Sequence, residues 1–492
     1  MASSNPVLPR PSTAVPARAP SVVPAPGLAP VPALSAAGLA TLLLGVFLPM
    51  VDFFIVNVAL PTMARDLNAS SAVLELVVSG YATTYAVLLV LGGRLGDAHG
   101  RRRLFGIGMA AFTVTSLLCG LAPTAGALVA ARVLQGASAA LMVPQTLATI
   151  QATGDATSRG RAMAWFGATG GLAAVVGQLL GGVLVGADLA GTGWRMIFLV
   201  NVPIGLVGLV VQARTVPATR APARIRPDLA GTALLALALA GLLVPLTEGR
   251  SLGWPWWTWL LMALALVAAG ALVVVERRLE ARGGVPLLPP SVLAHASMRR
   301  GLVLAVPFFA GFGAFMFVYA LITQGTLGYG PMKAGLVLTP MATAFLITSL
   351  STTRLINRFG GPRVIGTGAL VQLAGLAVLA GSLAASWPGV PFGALLPGLT
   401  VMGAGQGLVM SPLFRVVLSD VPREAAGAGS GVMSTTQQSS LALGVATLGT
   451  LYVSLAGSLG PLHAVLVVLA VQGTASAVVA LGSRGLPGGV RG

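Results

Sequence analysis

Apolar residues run along this chain in long stretches, separated by short segments that carry charges, prolines and glycines. A helix needs about 20 mostly apolar residues to cross a bilayer, and it satisfies its own backbone hydrogen bonds in lipid. The pattern therefore predicts an all-α polytopic membrane protein. Fourteen transmembrane helices are expected, at residues 35–61, 73–93, 103–122, 125–150, 161–186, 195–213, 229–247, 256–275, 301–325, 334–353, 362–384, 391–414, 425–453 and 462–482.

The composition supports this prediction and excludes an ordinary soluble domain. Hydrophobic residues make up 55% of the chain, charged residues only 8%, and the mean hydropathy is +0.90. The single cysteine, Cys119, cannot form a disulfide within the chain, and with only three histidines there is no Cys/His metal cluster. We therefore expect neither a metal nor another cofactor.

The net charge of +17 raises the question of a nucleic-acid partner. The positions of the charges argue against one, because 24 of the 29 lysines and arginines fall on one side of the predicted topology. Four fall on the other side, and Arg132 lies inside a span. Short basic loops stay in the cytoplasm, so the charge is explained by membrane topology and both termini are predicted to be cytoplasmic.

Two further features bear on location. Six of the seven tryptophans, including Trp194 and Trp256, fall at the outer ends of predicted spans, where indole rings favour the interface. The chain has 28 arginines and one lysine, which is typical of a GC-rich bacterial genome. The expected location is therefore a bacterial plasma membrane, with the lipid bilayer as a partner.

Residues 92–105, GGRLGDAHGRRRLF, place four arginines and one aspartate between two apolar runs. Such a cluster cannot lie in hydrocarbon, so it marks a tight cytoplasmic loop. The pattern resembles the signature loop between helices 2 and 3 of the major facilitator superfamily, a family of solute transporters. The candidate gating residues are Gly92, Arg94, Gly96, Asp97, Gly100, Arg101 and Arg102.

The resemblance implies a role for Asp97 in gating. In the family, this acid contacts the other half of the protein near the start of the helix that matches the thirteenth span, and the contact stabilises the outward-open state. The alternative is that the arginines only set topology and that Asp97 only caps its helix. A loop needed for topology alone would not require an acid here, which favours gating.

The loop has a second copy. Residues 354–365 align with residues 94–105 at an offset of 260, with Asn357 in the place of Asp97. This repeat predicts two related six-helix bundles with two helices inserted between them, which is the major facilitator fold with a substrate site between the bundles. The expected segments are a disordered cytoplasmic tail at 1–33, bundles at 34–214 and 301–484, a linker with the inserted helices at 215–300 and a cytoplasmic tail at 485–492.

Residues 51–61, VDFFIVNVALP, resemble the first-span motif of the fourteen-span drug:proton antiporter branch of this family. Asp52 is the only carboxylate well inside a predicted span. An intramembrane charge costs about 2.5–3.5 kcal/mol on insertion scales, so it marks a functional group. Burial favours the neutral form of a carboxyl group, which suits a proton carrier. The alternative is a structural partner for an arginine.

Residues 131–144, ARVLQGASAALMVP, resemble the fourth-span motif of the family and carry Arg132, the only predicted intramembrane cation. At about 1.5 Å per residue, Asp52 and Arg132 lie at similar depths below the outer surface. We expect them to form the proton-coupling pair, in which Arg132 holds Asp52 ionised until a proton or substrate breaks the pair. A static ion pair is the alternative.

Residues 171–182, GLAAVVGQLLGG, resemble the antiporter motif of the family in its fifth span. Gly177, Gly181 and Gly182 keep the small side chains that let helices approach closely. Gln178 stands where the motif has a proline, so the kink that a proline would introduce is absent.

The ninth predicted span carries four aromatic residues on one helical face. They either line a cavity for a lipophilic compound or form a packed or lipid-facing stripe. The substrate-cavity candidates are Phe308, Phe312, Phe315 and Tyr319, with Asn57, Gln135 and Gln437 as polar anchors. Glu75, near the outer end of the second span, is either an entrance charge or a solvated one.

Further stretches similar to the family lie at residues 194–205, 329–336 and 426–438. The whole resemblance implies a secondary active transporter that exports lipophilic drug-like compounds or antibiotics in exchange for protons by alternating access. The alternatives are a dedicated exporter of one endogenous metabolite and a facilitator without antiport. The partners implied are a small-molecule substrate and protons, and a monomer is expected.

Two other classes of function are excluded by missing motifs. The chain has no G-x-x-x-x-G-K-[ST] loop, so no nucleotide partner is expected by that route. It also has no catalytic constellation, because all three histidines lie at predicted membrane edges. The protein is therefore not expected to be an enzyme.

Overall fold

A computed structural model describes five stretches of the chain, at residues 34–153, 156–219, 228–249, 252–422 and 426–486. The predicted tail at 1–33 and nearly all of the predicted tail at 485–492 lie outside the described residues.

The described chain is helical, and a helix lies at each of the fourteen predicted spans. In chain order these are α1 (Ala36–Asp66), α2 (Ser71–His99), α3 (Arg101–Gly120), α4 (Ala125–Ala152), α5 (Ala156–Ala187), α6 (Gly193–Thr215), α7 (Leu229–Glu248), α8 (Trp256–Ala281), α9 (Ala296–Thr326), α10 (Met332–Phe359), α11 (Gly361–Ser386), α12 (Phe392–Val417), α13 (Gly429–Leu459) and α14 (Pro461–Gly482).

The lengths of these helices confirm the all-α membrane fold. Over the described residues, 13 helices are long and apolar enough to cross a bilayer. The exception is α7, whose apolar part, Ala230–Leu246, is shorter. The predicted number of fourteen is therefore met by thirteen full-length spans and one shorter apolar helix.

Local sequence explains where several helices begin and turn. The side chains of Ser35 and Thr124 accept the backbone N–H groups of Gly38 at 3.0 Å and Ala127 at 3.2 Å, which caps α1 and α4. Gly100 has a φ of 99° and joins α2 directly to α3. Its repeat partner Gly360 has a φ of 85° and joins α10 to α11, so the same glycine turn recurs.

The same helix pairs pack in the first six helices and in the last six. In the first set α1 packs on α5, α2 on α4, α3 on α4 and α3 on α6. In the last set α9 packs on α13, α10 on α12, α11 on α12 and α11 on α14. Each pair thus recurs eight helices later, which is the arrangement expected of a repeat. Residues 48–60 of α1 are all buried, so this helix lies deep in its set.

The two sets contact each other along two seams, α2 with α13 and α5 with α10. The inserted helices α7 and α8 pack on each other, and α7 also packs on α2 and α13. The inserted pair therefore lies beside the α2–α13 seam.

Two of the tryptophans at the ends of spans differ in exposure. Trp256 is 75% exposed, as an anchor in the interface would be, but Trp194 is 1% exposed. The indole N–H of Trp194 donates to Asp66 over 2.8 Å, at the end of α1. A buried indole requires such an acceptor, and here it fastens the start of α6 to α1.

Candidate functional site

Two fully buried charged side chains lie within the first six helices. Asp52 of α1 and Arg132 of α4 are both 0% exposed. Nη1 of Arg132 donates to Oδ2 of Asp52, so the two form an ion pair inside the protein. The structure thus brings together the two residues that the sequence analysis paired on depth alone.

Two amides hold the other oxygen of the Asp52 carboxylate. Nε2 of Gln135 donates to Oδ1 over 3.0 Å, and Nδ2 of Asn201 does so over 2.9 Å. Both amide nitrogens also donate to Oγ of Ser116, at 2.8 and 3.4 Å. The carboxylate therefore accepts hydrogen bonds at both oxygens, which compensates its removal from water.

The Arg132 guanidinium is held by a carbonyl and two aromatic rings. Nε donates to the carbonyl of Val77 over 3.0 Å, and the guanidinium carbon lies 4.1 Å from the ring centre of Tyr81 and 5.7 Å from that of Phe198. Both are cation–π distances. Nη1 also donates to Oε1 of Gln135 over 2.7 Å. Nη2 is buried and has no hydrogen-bond partner among the described residues, so it is available to a further acceptor.

The loss of any one side chain of this network is expected to destabilise the protein, because the remaining buried polar groups lose a partner. Removing one partner of a buried ion pair costs about 3–5 kcal/mol, because it leaves an uncompensated charge. The side chains come from α1, α2, α3, α4 and α6, so the network ties five of the first six helices together. A change of charge at Asp52 is therefore felt by all five.

Sequence reasoning missed part of this network. Asn201 lies in the family-like stretch at 194–205, but that stretch was given no role. Ser116, Tyr81 and Phe198 were not singled out either. A buried amide in the middle of an apolar span is a signal that would have found Asn201, since such a group requires hydrogen-bond partners.

The loop between α2 and α3, the candidate gating loop, is held by its own arginines. Nε and Nη2 of Arg101 donate to Oδ1 of Asp97 over 3.1 and 2.8 Å, which forms an ion pair across the Gly100 turn. Nη1 of Arg101 donates to the carbonyl of Ala148 in α4 over 3.0 Å. The expected partner of Asp97 near the start of α13 falls partly outside the described residues, which omit 423–425.

Two other arginines of the loop, Arg94 and Arg102, bond to more distant parts of the chain. Arg102 donates to the carbonyl of Ala213, near the end of α6. Arg94 donates to the carbonyls of Pro286 and Leu287, in the segment that follows the inserted helix α8. The loop thus contacts the first six helices and the inserted pair at once.

The glycines of the loop motif let α2 approach α4 closely. A side chain on Gly92 would meet the carbonyl of Ala140, and one on Gly96 would meet the side chain of Gln145. Nε2 of Gln145 instead donates to the carbonyl of Gly92 over 2.8 Å, across the helix pair. The small residues are therefore needed for this packing.

Two of the candidate packing glycines of α5 face α1. A methyl group on Gly177 would lie 2.9 Å from the carbonyl oxygen of Val51 in α1, and Gly181 packs on α1 one turn further along. Gly182 is buried as well. Gln178 is 2% exposed, and its Nε2 has no hydrogen-bond partner among the described residues.

The aromatic stripe of α9 is buried along its length, so it does not face lipid. The ring centre of Phe312 lies 5.9 Å from that of Phe54 in α1, which is a contact between the two sets of helices. Phe315 and Tyr319 line an apolar cavity of about 420 Å³, counting its open part, together with α11, α12 and α14. Phe308 packs on its neighbour Phe309.

The predicted polar anchors belong to three different helices and differ in their contacts. Gln135 belongs to the ion-pair network described above. Nδ2 of Asn57 donates to the carbonyl of Phe54 over 3.3 Å, and its Oδ1 has no partner among the described residues. Gln437 is 8% exposed, in α13. The side chain of Glu75 lies outside the described residues.

An apolar helical bundle built from two similarly packed sets, with a buried ion pair in one of them, is the architecture of a membrane transporter. Residues 42–445 match the family model described as Major Facilitator Superfamily. The chain belongs to this family, so it is a transporter of small molecules and not an enzyme. The predicted family is confirmed.

Similarity to individual proteins agrees with this assignment. The chain is 37% identical over 422 residues to a probable actinorhodin transporter of Streptomyces coelicolor, covering 86% of this chain and 73% of the relative. It is 35% identical over 420 residues to the cephamycin export protein CmcT of Amycolatopsis lactamdurans, covering 82% of each. The crystal structure of a D-xylose-proton symporter matches the fold with a TM-score of 0.64 at 16% identity, covering 92% of this chain and 98% of the symporter.

Proposed function

We propose that this protein exports antibiotics or other lipophilic drug-like compounds in exchange for protons, by alternating access. Export of antibiotics is supported by the relatives named for the transport of actinorhodin and the export of cephamycin. The protein acts as a monomer in a bacterial plasma membrane, with both termini in the cytoplasm. The bundles at 34–214 and 301–484 are the units that move relative to each other.

The buried pair of Asp52 and Arg132 carries the proposal of proton coupling. A proton from water that binds the Asp52 carboxylate removes its negative charge and ends the ion pair. Arg132 then lacks its counter-charge in a buried site, which is costly. The protonated and ionised states therefore favour different arrangements of the five helices that hold the pair, and this difference links the proton to the conformational change.

Antiport is tested directly in everted membrane vesicles. The vesicle interior is acidified by the respiratory chain and followed with a fluorescent pH dye, and a panel of lipophilic cations and antibiotics is added. Release of protons on addition of a compound, absent from vesicles without the protein, is the expected result. A compound that crosses without moving protons contradicts antiport and supports the facilitator, for which Gln178 in place of the motif proline is the favouring observation.

A dedicated exporter of one metabolite is the second candidate function. The observation in its favour is that the relatives carry the names of single compounds, actinorhodin and cephamycin. The same panel separates the two, because a drug exporter responds to several unrelated compounds and a dedicated exporter to one.

Replacing Arg132 with lysine is expected to lower transport by about tenfold or more. Lysine keeps the charge but cannot donate to Asp52, Gln135 and the carbonyl of Val77 from one planar group. Proton release in the vesicle assay measures the effect. Arg65→Lys is the matched control, because Arg65 is an exposed arginine whose Nε donates to the carbonyl of Pro61. Normal transport by the Arg132→Lys protein would contradict the proposal that transport requires the planar guanidinium of Arg132.

Asp97 is proposed to gate the transporter through its pair with Arg101. Replacement of Asp97 by asparagine removes the charge that holds the loop, and an interaction that favours one state is worth about 1–3 kcal/mol, or 5–150-fold. We expect a protein that inserts normally and transports at least about tenfold more slowly. Asp420→Asn, in the exposed loop between α12 and α13, is the control. Transport at the wild-type rate by Asp97→Asn contradicts the gating role.

A further inference from the structure

The inserted helices dock on α2 through their own small core. Val90 of α2, Leu235 of α7, Leu272 of α8 and Leu287 form a buried apolar cluster that is separate from the main core. Arg94 of α2 reaches across and donates to the carbonyls of Pro286 and Leu287. The gating loop and the inserted pair are therefore joined at one place.

Two carboxyl groups meet beside this docking surface. Asp228 begins α7, and its Oδ1 accepts the backbone N–H of Gly231 over 2.8 Å. Glu276 of α8 is 2% exposed, and its Oε2 accepts the backbone N–H of Leu288 over 3.1 Å. These bonds occupy one oxygen of each carboxyl group.

The two remaining oxygens face each other. Oδ2 of Asp228 and Oε1 of Glu276 are both buried, and neither has a donor within the described residues. A methyl group on Gly231 would collide with both, so the oxygens lie on the same side of that glycine, and the two carboxyl groups are in hydrogen-bonding contact with each other. Two acceptors in contact require a hydrogen between them.

Among the described residues, the surrounding charges do not replace that hydrogen. Arg94 of α2 is the charged group that faces the pair from the neighbouring helix. The bonds of Arg94 go to backbone carbonyls. The segment after α8 contributes the backbone N–H groups of Leu287 and Leu288. Two like charges in such contact repel strongly in a buried site, and a hydrogen shared between the two carboxyl groups relieves that repulsion.

We propose that Asp228 and Glu276 form a proton-binding site between the inserted helices, and that the bound proton holds α7 and α8 together over the apolar cluster that they share with α2. With the proton present, one carboxyl group donates to the other and the net charge of the pair is balanced by Arg94. Loss of the proton to water leaves two negative oxygens in contact, and their repulsion separates α7 from α8, which opens the apolar cluster around Leu287. The state of the site is thereby transmitted to Arg94 in the gating loop.

Thiol labelling tests this without any substrate, so the result is independent of the proposed antiport. In a Cys119→Ala background, Leu287→Cys places a thiol in the docked surface, where Leu287 is 2% exposed. Ala281→Cys, an exposed position on the same side, corrects for the pH dependence of the thiol itself. The ratio of their labelling rates with a water-soluble maleimide is measured from about pH 6 to about pH 9, across the titration of a pair that shares one proton.

The ratio is expected to rise about tenfold with pH, because local opening exposes the thiol once the proton is lost. Glu276→Gln and Asp228→Asn each carry an amide that donates permanently, so the ratio stays low at every pH. Glu280→Gln is the matched control, since Glu280 lies one turn further along α8 and accepts from Ser291 instead. It keeps the pH response.

Three results overturn the proposal. The first is a ratio that does not change with pH in the otherwise unchanged protein. The second is a pH response that persists in both Glu276→Gln and Asp228→Asn. The third is full labelling of Leu287→Cys at low pH, which shows that the pair is not docked there.

Discussion

Asp52→Asn is expected to abolish proton-coupled export, by about a hundredfold or more, and to lower the stability of the protein by about 3–5 kcal/mol. The asparagine side chain cannot bind and release a proton near neutral pH, so the coupling of export to protons is lost. Its amide also places a donor against a donor, because Arg132, Gln135 and Asn201 all donate to this position. Proton release in everted vesicles measures transport, and thermal unfolding in detergent measures stability.

Two variants separate the loss of coupling from the loss of stability. In Asp52→Asn/Arg132→Gln the unpaired charge is gone, so stability recovers while export stays absent. Asp66→Asn removes an acid from the same helix, but Asp66 is half-exposed and pairs with Arg195 at the surface, so export is retained. Export by the double variant in exchange for protons would show that Asp52 is not the proton carrier.

Gly335→Leu is expected to stop the transport cycle in a protein that still folds. A methyl group at Gly335 of the α10 segment would lie 2.9 Å from the carbonyl oxygen of Gln178 in α5, on the seam between the two sets of helices. Backbone atoms cannot move aside as a side chain can, so the sets must separate at this end. Overpacking of this kind costs about 1–3 kcal/mol. A free-energy difference of that size lowers the population of the state with this seam closed by about 5–150-fold.

Transport and geometry are measured together for this variant. Proton release is expected to fall by tenfold or more, on the order of that population change. Spin labels at Val183 and Leu336, one on each side of the seam and both partly exposed, are expected to move apart. Gly381→Leu is the control, because nothing lies within 4 Å of a side chain added there. Normal transport with unchanged label separation would mean that this seam need not close.

Much of the architecture was predictable from the chain alone. The fourteen apolar stretches each correspond to a helix, because in lipid a helix satisfies its own hydrogen bonds and its length is set by the bilayer. The repeat around Gly100 and Gly360 reappears as the same glycine turn in both places. Asp52 and Arg132 were paired from their depth, since two opposite charges at one level of an apolar bundle have few other partners.

Other features of the site had no local signal. Asn201 bonds to Asp52 across 149 residues of sequence, and Arg94 bonds to Pro286 across 192. Trp194 and Trp256 both lie at the end of a span, yet one is buried and the other is exposed. Such differences depend on which neighbour a helix face meets, and a hydropathy pattern does not contain that information.

Some features follow from the sequence and others only from the tertiary structure, because the forces that produce them act over different ranges. Membrane insertion acts on each helix separately, so the spans, the class of protein and the two intramembrane charges follow from the order of residues along the chain. Hydrogen bonds and close packing act only over a few ångströms. The amides around Asp52, the docking of the inserted helices and the contact of Asp228 with Glu276 therefore depend on how the helices assemble, and the tertiary structure alone decides them.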